Sequence, residues 1–305
     1  MARLASQIKM GFYKTPANVV EQIKTNLTIN PRARLLDTCC GEGEALKSIA
    51  SGTDAETCGV ELDRERFDKA KEVLDNVVWA DSLHELRASA KEFGLLWLNP
   101  PYDLDEGAYE QERERVEHQF LLRNWGYLQD GGALVYIIPF ASLRKAAPFF
   151  YRRCTRLTVF SFPDEEFQKF HQVVVMCAKG RPKKDQIRRN IETLEFAANL
   201  SLYEVPDRLP ATGIAGTNYD VPEADDTGGF YFRSARLDPQ EALEQVRESP
   251  VWPRVIKHVL PPTGHAHVRP LMPLREGHLA MLLASGMMNG EVVGDDGERL
   301  IVKGS

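Results

Sequence analysis

No stretch of this 305-residue chain approaches the ~18 consecutive apolar residues that a membrane-spanning helix needs. Met1 to Lys9 hold neither an apolar run nor a cleavage-site pattern, which predicts a chain without a secretory signal. Cysteine is sparse and scattered: Cys39, Cys40, Cys58, Cys154 and Cys177 are odd in number and form no Cys-x-x-Cys pair. That distribution argues against a disulfide framework and a structural zinc, and predicts reduced thiols in a cytoplasm. Internal repeats are absent. Positive charge is not in excess either, with 38 Lys and Arg against 44 Asp and Glu and a net charge of −6. A field of that sign does not gather polyanions over the whole surface. Basic charge is concentrated instead at Arg144, Lys145, Arg152, Arg153 and Arg156, and in the run from Lys179 to Arg189. These are the candidate phosphate contacts. His258, His265, His267 and His278 are near one another, but their spacings are irregular and prolines intervene, so no metal site is expected.

Strand-like and helix-like segments alternate between residues 32 and 178. Arg34-Leu35-Leu36 leads to a glycine turn and a helix over Glu44 to Ala50. A strand over Thr57 to Leu62 precedes a helix over Arg64 to Asp75 with Phe67, Ala70, Val73 and Leu74 on one face. Val77 to Ala80 reads as a strand, Leu83 to Phe93 as a helix, Leu95 to Leu98 as a strand, and Glu110 to Leu128 as a long helix stopped by Asp130-Gly131-Gly132. Ala133 to Pro139 is an apolar strand, and Arg156–Phe162 with His171–Ala178 reads as a closing antiparallel pair. Repeated strand–helix units predict an α/β fold, a parallel sheet with helices on both faces, whose ligands bind at the strands' carboxyl ends. The predicted division is a catalytic domain over 1–180 and an accessory or substrate-recognition region over 181–305. Within the latter, Pro206 to Gly229 reads as a long exposed loop, Gly229 to Arg233 as a short strand, Asp238 to Glu248 as a helix and Leu279 to Met288 as an apolar core segment.

Asn99-Pro100-Pro101-Tyr102 closes the strand-like run Gly94-Leu95-Leu96-Trp97-Leu98. Two prolines fix φ and carry no N–H, so the Asn99 side-chain oxygen and the Pro100 carbonyl can both face one amine. Such a rigid claw suits a planar NH₂ held beside a methyl donor. Upstream, Asp37 precedes the turn Gly41-Glu42-Gly43, and Leu46 stands where a dinucleotide fingerprint would have its third glycine. A diphosphate cofactor is therefore disfavoured. Asp37 suits a ligand ammonium, Glu61 at the end of the next strand suits a pair of ribose hydroxyls, and Asp81 after the third strand suits an adenine amino group. The series predicts S-adenosylmethionine. Cys39 and Cys40 are expected only to pack in the loop.

Five segments in order carry a family resemblance: Gly11-Phe12-Tyr13-Lys14-Thr15-Pro16, Asp37 to Gly43, Gly59-Val60-Glu61-Leu62-Asp63, Ala80-Asp81-Ser82-Leu83, and Asn99 to Tyr102. The chain resembles class I S-adenosylmethionine-dependent methyltransferases, in particular the gamma-type adenine-N6 DNA methyltransferases. The resemblance implies a Rossmann-like, doubly wound, mostly parallel seven-stranded sheet and methyl transfer to the N6 amine of adenine in DNA. It places Tyr13, Thr15, Pro16, Asp37, Gly41, Gly43, Glu61, Asp81 and Ser82 around the cofactor, and Asn99, Pro100, Pro101 and Tyr102 at the target amine. Tyr102 would stack on the target ring, with Phe167 or Phe170 on its other face and Phe167 favoured. DNA is the implied partner, and restriction, defence or mobile-element proteins are candidate protein partners. The same claw serves enzymes acting on an RNA base amine or a protein glutamine amide. A non-catalytic cofactor-binding module is the remaining alternative, which the intact Asn99 and Tyr102 disfavour.

Overall fold

The structure is a computed structural model that describes residues 14–101, 115–210, 218–225, 228–236, 239–259, 275–278, 281, 290–293, 297 and 299–302. The central sheet has seven strands: β1 (Arg34–Asp37), β2 (Glu56–Glu61), β3 (Asn76–Trp79), β4 (Phe93–Leu98), β5 (Leu128–Pro139), β6 (Cys154–Ser161) and β7 (Gln172–Lys179). Their spatial order is β3-β2-β1-β4-β5-β7-β6, and every pairing is parallel except those of β7. All residues of β1 and β4 are buried, as are most of β5 and β7. Strands covered on both faces need side chains apolar throughout, which is why these runs do not alternate. Among the described residues the helices that accompany the sheet include α1 (Ala17–Lys24), α2 (Glu44–Ala50), α3 (Arg64–Ala70), α4 (Val116–Asn124), α5 (Leu143–Phe150), α6 (Asp164–Phe170) and α7 (Lys184–Ala198). From β1 the chain winds outward to β2 and β3, then returns to lay β4 on the other side of β1. The order therefore reverses between β1 and β4, and a crevice opens at their carboxyl ends. Asp37 and Asn99 stand at those two ends, with Asp37 in register with Trp97.

Four sequence expectations change. The segment expected as a helix over Leu83 to Phe93 instead contains a strand, Leu86–Ala88, paired antiparallel with Phe232–Ser234. Phe230 and Phe232 meet Phe93 edge-on at 5.8 and 6.1 Å, and the Arg34 guanidinium lies 3.7 Å from the Phe230 ring centre. That cluster holds the strand in place against its local helical pattern. Asp130-Gly131-Gly132 does not end a helix. It lies inside β5, where Gly131 adopts φ +88° and the pairing with β4 shifts register between Phe93 and Leu95. The expected loop after Pro206 contains a buried strand, Tyr219–Val221, parallel to Leu27–Ile29, with the Tyr219 hydroxyl donating to Thr158 Oγ1 at 2.9 Å. Finally, the chain divides into compact units after Asp238, not near residue 180. The helix α7 is bound to the first unit through buried Asn190, which donates to the Cys154 carbonyl at 2.8 Å, and through buried Leu194 and Ala197.

The second unit, 239–305, contains helices Pro239–Glu248 and Trp252–Val259 and a hairpin of Gly290–Val293 with Arg299–Val302. His265, His267 and most of Leu279 to Met288 lie outside the described residues. Among the described residues no helix is long and apolar enough to cross a membrane.

Candidate active site

The first turn after β1 is built on glycine. Gly41 and Gly43 adopt φ +58° and +83°, and a Cβ on Gly43 would stand 2.8 Å from Val73 Cγ2. Both conformations belong to the left-handed region that glycine enters without penalty. The turn delivers the Gly41 N–H to Glu61 Oε2 at 2.9 Å, joining the ends of β1 and β2.

Asp37 is 2% exposed, and its Oδ1 accepts the Cys39 N–H at 2.9 Å. Burial, and after it the negative charge of Glu61, push its carboxyl up to about 7, while the Cys39 N–H pulls it the other way. A half-ionised carboxyl beside a second carboxylate is a place where a bound cation is favoured over water. The donor chemistry thus fits a ligand that carries an ammonium or sulfonium. Burial, with the charges of Asp37 and Glu61, pushes the Cys39 and Cys40 thiols far up. Neither is a thiolate nucleophile near neutral pH.

Asn99 sits across the crevice, where its Nδ2 donates to Thr15 Oγ1 at 2.9 Å. Thr15 is 6% exposed and precedes Pro16, which caps α1. In this arrangement Thr15 holds the Nδ2 end of the Asn99 amide. Thr15, expected among the cofactor residues, is thus hydrogen-bonded to Asn99. Thr15, Asp37, Cys39, Ala45, Trp97 and Asn99 line one cleft. Lys14 and Glu44 pair beside it.

The other expected residues are arranged less simply. Glu61 is 5% exposed, and four donors already surround its carboxylate: Leu62 N, Asp63 N and the Arg66 guanidinium on Oε1, and Gly41 N on Oε2. Asp81 is more open. Its Oδ1 accepts Leu83 N at 2.8 Å and its Oδ2 faces His84 Nδ1 at 2.8 Å, leaving lone pairs on both oxygens. Ser82 is 4% exposed and its hydroxyl reaches inward to Asn124 Oδ1 on α4. Phe167, the favoured stacking ring, is 3% exposed and part of the core, edge-on to His171 at 5.8 Å. Phe170 on the same short helix is 36% exposed, which moves the stacking expectation to it. Tyr13 and Tyr102 lie outside the described residues.

The basic residues divide between the two edges of the sheet. Lys179 and Cys154 are register partners at the amino end of the parallel sheet, and the Gly180 N–H donates to the Arg153 carbonyl at 2.9 Å. Lys179 is itself enclosed, donating from Nζ to the Trp125 and Leu128 carbonyls. Arg188 and Arg189 pair along α7 with Glu192 and Asp185. Arg152, Arg153, Lys179 and the start of α7 thus collect at the sheet edge opposite Asp37 and Asn99, whereas Arg144 and Lys145 open α5 just after the carboxyl end of β5.

Solved structures with related folds include a putative class I S-adenosylmethionine-dependent methyltransferase from Listeria monocytogenes, at 14% identity and TM-score 0.46. The match covers 55% of this chain and 61% of that one, so this chain spans about three fifths of that protein. A predicted O-methyltransferase from Agrobacterium tumefaciens matches at 19% identity and TM-score 0.40, over 52% of this chain and 80% of that one. A putative RNA methyltransferase from Pyrococcus horikoshii matches at 16% identity and TM-score 0.41, over 56% and 87%. No curated protein matches the chain. The profile of one family matches residues 1–223, nearly the whole first unit, and on that match the chain belongs to the uncharacterised methyltransferase family DUF6094.

Proposed function

We propose that this chain moves a methyl group from S-adenosylmethionine to the N6 amine of adenine in DNA. The observation that supports the reading is the Asn99 side chain, bonded to Thr15 in the cleft that also holds Asp37. A methyltransferase family supplies the reaction class, and Asn-Pro-Pro-Tyr supplies acceptors suited to a planar amine of the substrate. The donor brings an already activated methyl sulfonium, so what is asked of the chain is alignment. Asp37 holds the cationic end of the donor, and Asp81 accepts from its adenine. Asn99 Oδ1 and the Pro100 carbonyl accept the two amine hydrogens. Those bonds turn the nitrogen lone pair toward the methyl as the nitrogen pyramidalises, stabilising the transition state more than the ground state. A base in a duplex must first be extruded, at a cost of a few kcal/mol. Stacking on Tyr102 and Phe170 would offset it by ~1–3 kcal/mol per base.

The test is transfer of a tritiated methyl from S-adenosylmethionine, offered in parallel to unmodified DNA, RNA and total protein. Label in DNA supports the reading. Label confined to RNA or protein assigns the same claw to a guanine or glutamine NH₂ instead, and label in none of them favours a non-catalytic module.

A further inference from the structure

We propose that Arg236 is a positioning residue for the adenine end of the cofactor site: through Glu85 it sets Asp81 so that the site selects a purine bearing an amino group. The inference rests on the cofactor reading above, in which Asp81 accepts from the adenine amine.

Asp81 follows β3 and opens a turn closed by its own backbone. Its carbonyl accepts Glu85 N at 2.8 Å and Leu86 N at 3.1 Å. A side chain closes the turn a second time, since Glu85 Oε2 accepts the Asp81 N–H at 2.8 Å. The Glu85 carboxylate thus orients the Asp81 peptide. A long side chain has rotamer freedom to lose, and that of Glu85 is 28% exposed, so it stays in place only if something holds it. Arg236 does so. Its Nε lies 3.0 Å from Oε2 and 3.2 Å from Oε1 of Glu85, and beside it the Ala235 N–H donates to the Glu85 carbonyl at 2.7 Å.

Arg236 is itself placed from two sides. Its N–H donates to Ser234 Oγ at 2.9 Å, at the end of the strand Phe232–Ser234 that pairs with Leu86–Ala88. Its guanidinium carbon lies 4.4 Å from the centre of the Trp79 ring, at the end of β3. Trp79 Nε1 in turn donates at 2.9 Å to the carbonyl of Leu62, the residue after Glu61. One late segment therefore ties together the ends of β2 and β3, where the ribose and adenine carboxylates stand. That segment lies beyond residues 1–223, the part the family profile matches.

A hydrogen bond weakens steeply with misdirection, so a carboxylate discriminates between ligands only when it is held in place. Leu83 N and His84 Nδ1 already orient the Asp81 oxygens, and the Glu85–Arg236 pair orients the peptide that carries them. An adenine amine donates to the remaining lone pairs. A hypoxanthine oxygen at the same position is an acceptor and meets the carboxylate with no proton between them. Without Arg236 the preference fades while the rest of the ligand still binds.

The experiment is calorimetric titration of the full chain with S-adenosylhomocysteine and with S-inosylhomocysteine, which carries an oxygen in place of the adenine amino group. The proteins are the wild type, Arg236→Met, Arg236→Lys and Glu85→Gln. The wild type should prefer the adenine ligand by about tenfold or more, the worth of one hydrogen bond to a charged group. Arg236→Met should bind S-adenosylhomocysteine about tenfold more weakly and S-inosylhomocysteine within about twofold of the wild type, so the preference collapses. Arg236→Lys keeps the charge without the planar fork and should retain part of the preference. Glu85→Gln keeps an acceptor for the Asp81 N–H but not the ion pair, and should lose preference in the same direction. Equal weakening of both ligands would make Arg236 a fold contact only and overturn the proposal. An unchanged preference in Arg236→Met, or in Glu85→Gln if Arg236→Met does not fold, would also overturn it. A wild type that binds neither ligand would overturn the cofactor reading itself. A wild type that binds both alike would overturn the role of Asp81, and this proposal with it, while leaving the cofactor in place.

Discussion

Asp37 ties cofactor affinity to pH. With its carboxyl raised to about 7 by burial and by Glu61, the group is a mixture of acid and anion near neutrality. A cationic ligand end pairs only with the anion, so the observed affinity follows the ionised fraction. With a pKa of about 7, that fraction is about 0.09 at pH 6 and about 0.76 at pH 7.5, a gain of roughly eightfold. The window stops there because the ligand's own α-amino group begins to lose its proton near ~8. Titration calorimetry with S-adenosylhomocysteine between pH 6 and 7.5 should show that rise, with proton release on binding at the lower end. Asp37→Asn should bind weakly and without pH dependence. Stability runs the opposite way. The folded value lies above the ordinary 3.8, so the protonated group stabilises the fold below pH ~4, and that stability is lost as pH rises through about 7. The difference corresponds to at most about 4 kcal/mol. Asparagine keeps an acceptor for Cys39 N–H and removes the charge, so the empty Asp37→Asn protein should melt above the wild type at pH 8 and near it at pH 4. A wild-type affinity that is flat from pH 6 to 7.5 would refute the pairing of Asp37 with a ligand cation.

Other outcomes follow from the same geometry. Thr15→Val keeps shape but removes the acceptor for Asn99 Nδ2. It should lower the turnover rate by about 10–100-fold, or ~1.5–3 kcal/mol, with cofactor affinity near wild type, as single-turnover and binding assays would show. Phe167→Ala empties a core position and should cost ~3–5 kcal/mol in chemical denaturation. Phe170→Ala should leave stability within ~0.5 kcal/mol but weaken target binding by ~1–3 kcal/mol; the reverse pattern would return the stacking role to Phe167. The basic run lies one strand length, ~26 Å, from the carboxyl edge, the reach of about 8 base pairs. Replacing Lys183, Lys184, Arg188 and Arg189 by Ala should therefore flatten the salt dependence for a duplex of about 30 base pairs and leave one of about 12 unchanged. Equal slopes on the long duplex would make the run a solvated face.

The strand–turn–helix from Arg34 to Ala50 was legible because each of its signals is local: an apolar run, an acid at its end, two glycines, a helix start. The parallel sheet followed from repetition of that unit. What sequence reading missed depends on partners far along the chain. Leu86–Ala88 looks helical until Phe232–Ser234 pairs with it, and Tyr219–Val221 looks like loop until Leu27–Ile29 does. The same distance hides the end of the first unit, since α7 and both late strands pack on a core that precedes them. In the site, Asp37 and Asn99 could be placed at strand ends from sequence, but the Thr15 bond to Asn99 and the filled carboxylate of Glu61 could not. Arg66 left only a faint trace, a cation in the first helical turn after Glu61. Phe167 and Phe170 are three residues apart on one short helix, so only burial separates them.

The most direct test of the account is the chemical identity of the product. Unmodified DNA is incubated with S-adenosylmethionine and either the wild type or Asn99→Ala, digested to nucleosides, and analysed by mass spectrometry. The account predicts N6-methyladenine from the wild type, and loss of more than about 100-fold of it with Asn99→Ala, about 2.7 kcal/mol of barrier, while S-adenosylmethionine still binds. No methylated adenine from the wild type, or activity of Asn99→Ala within about tenfold of it, would contradict the account.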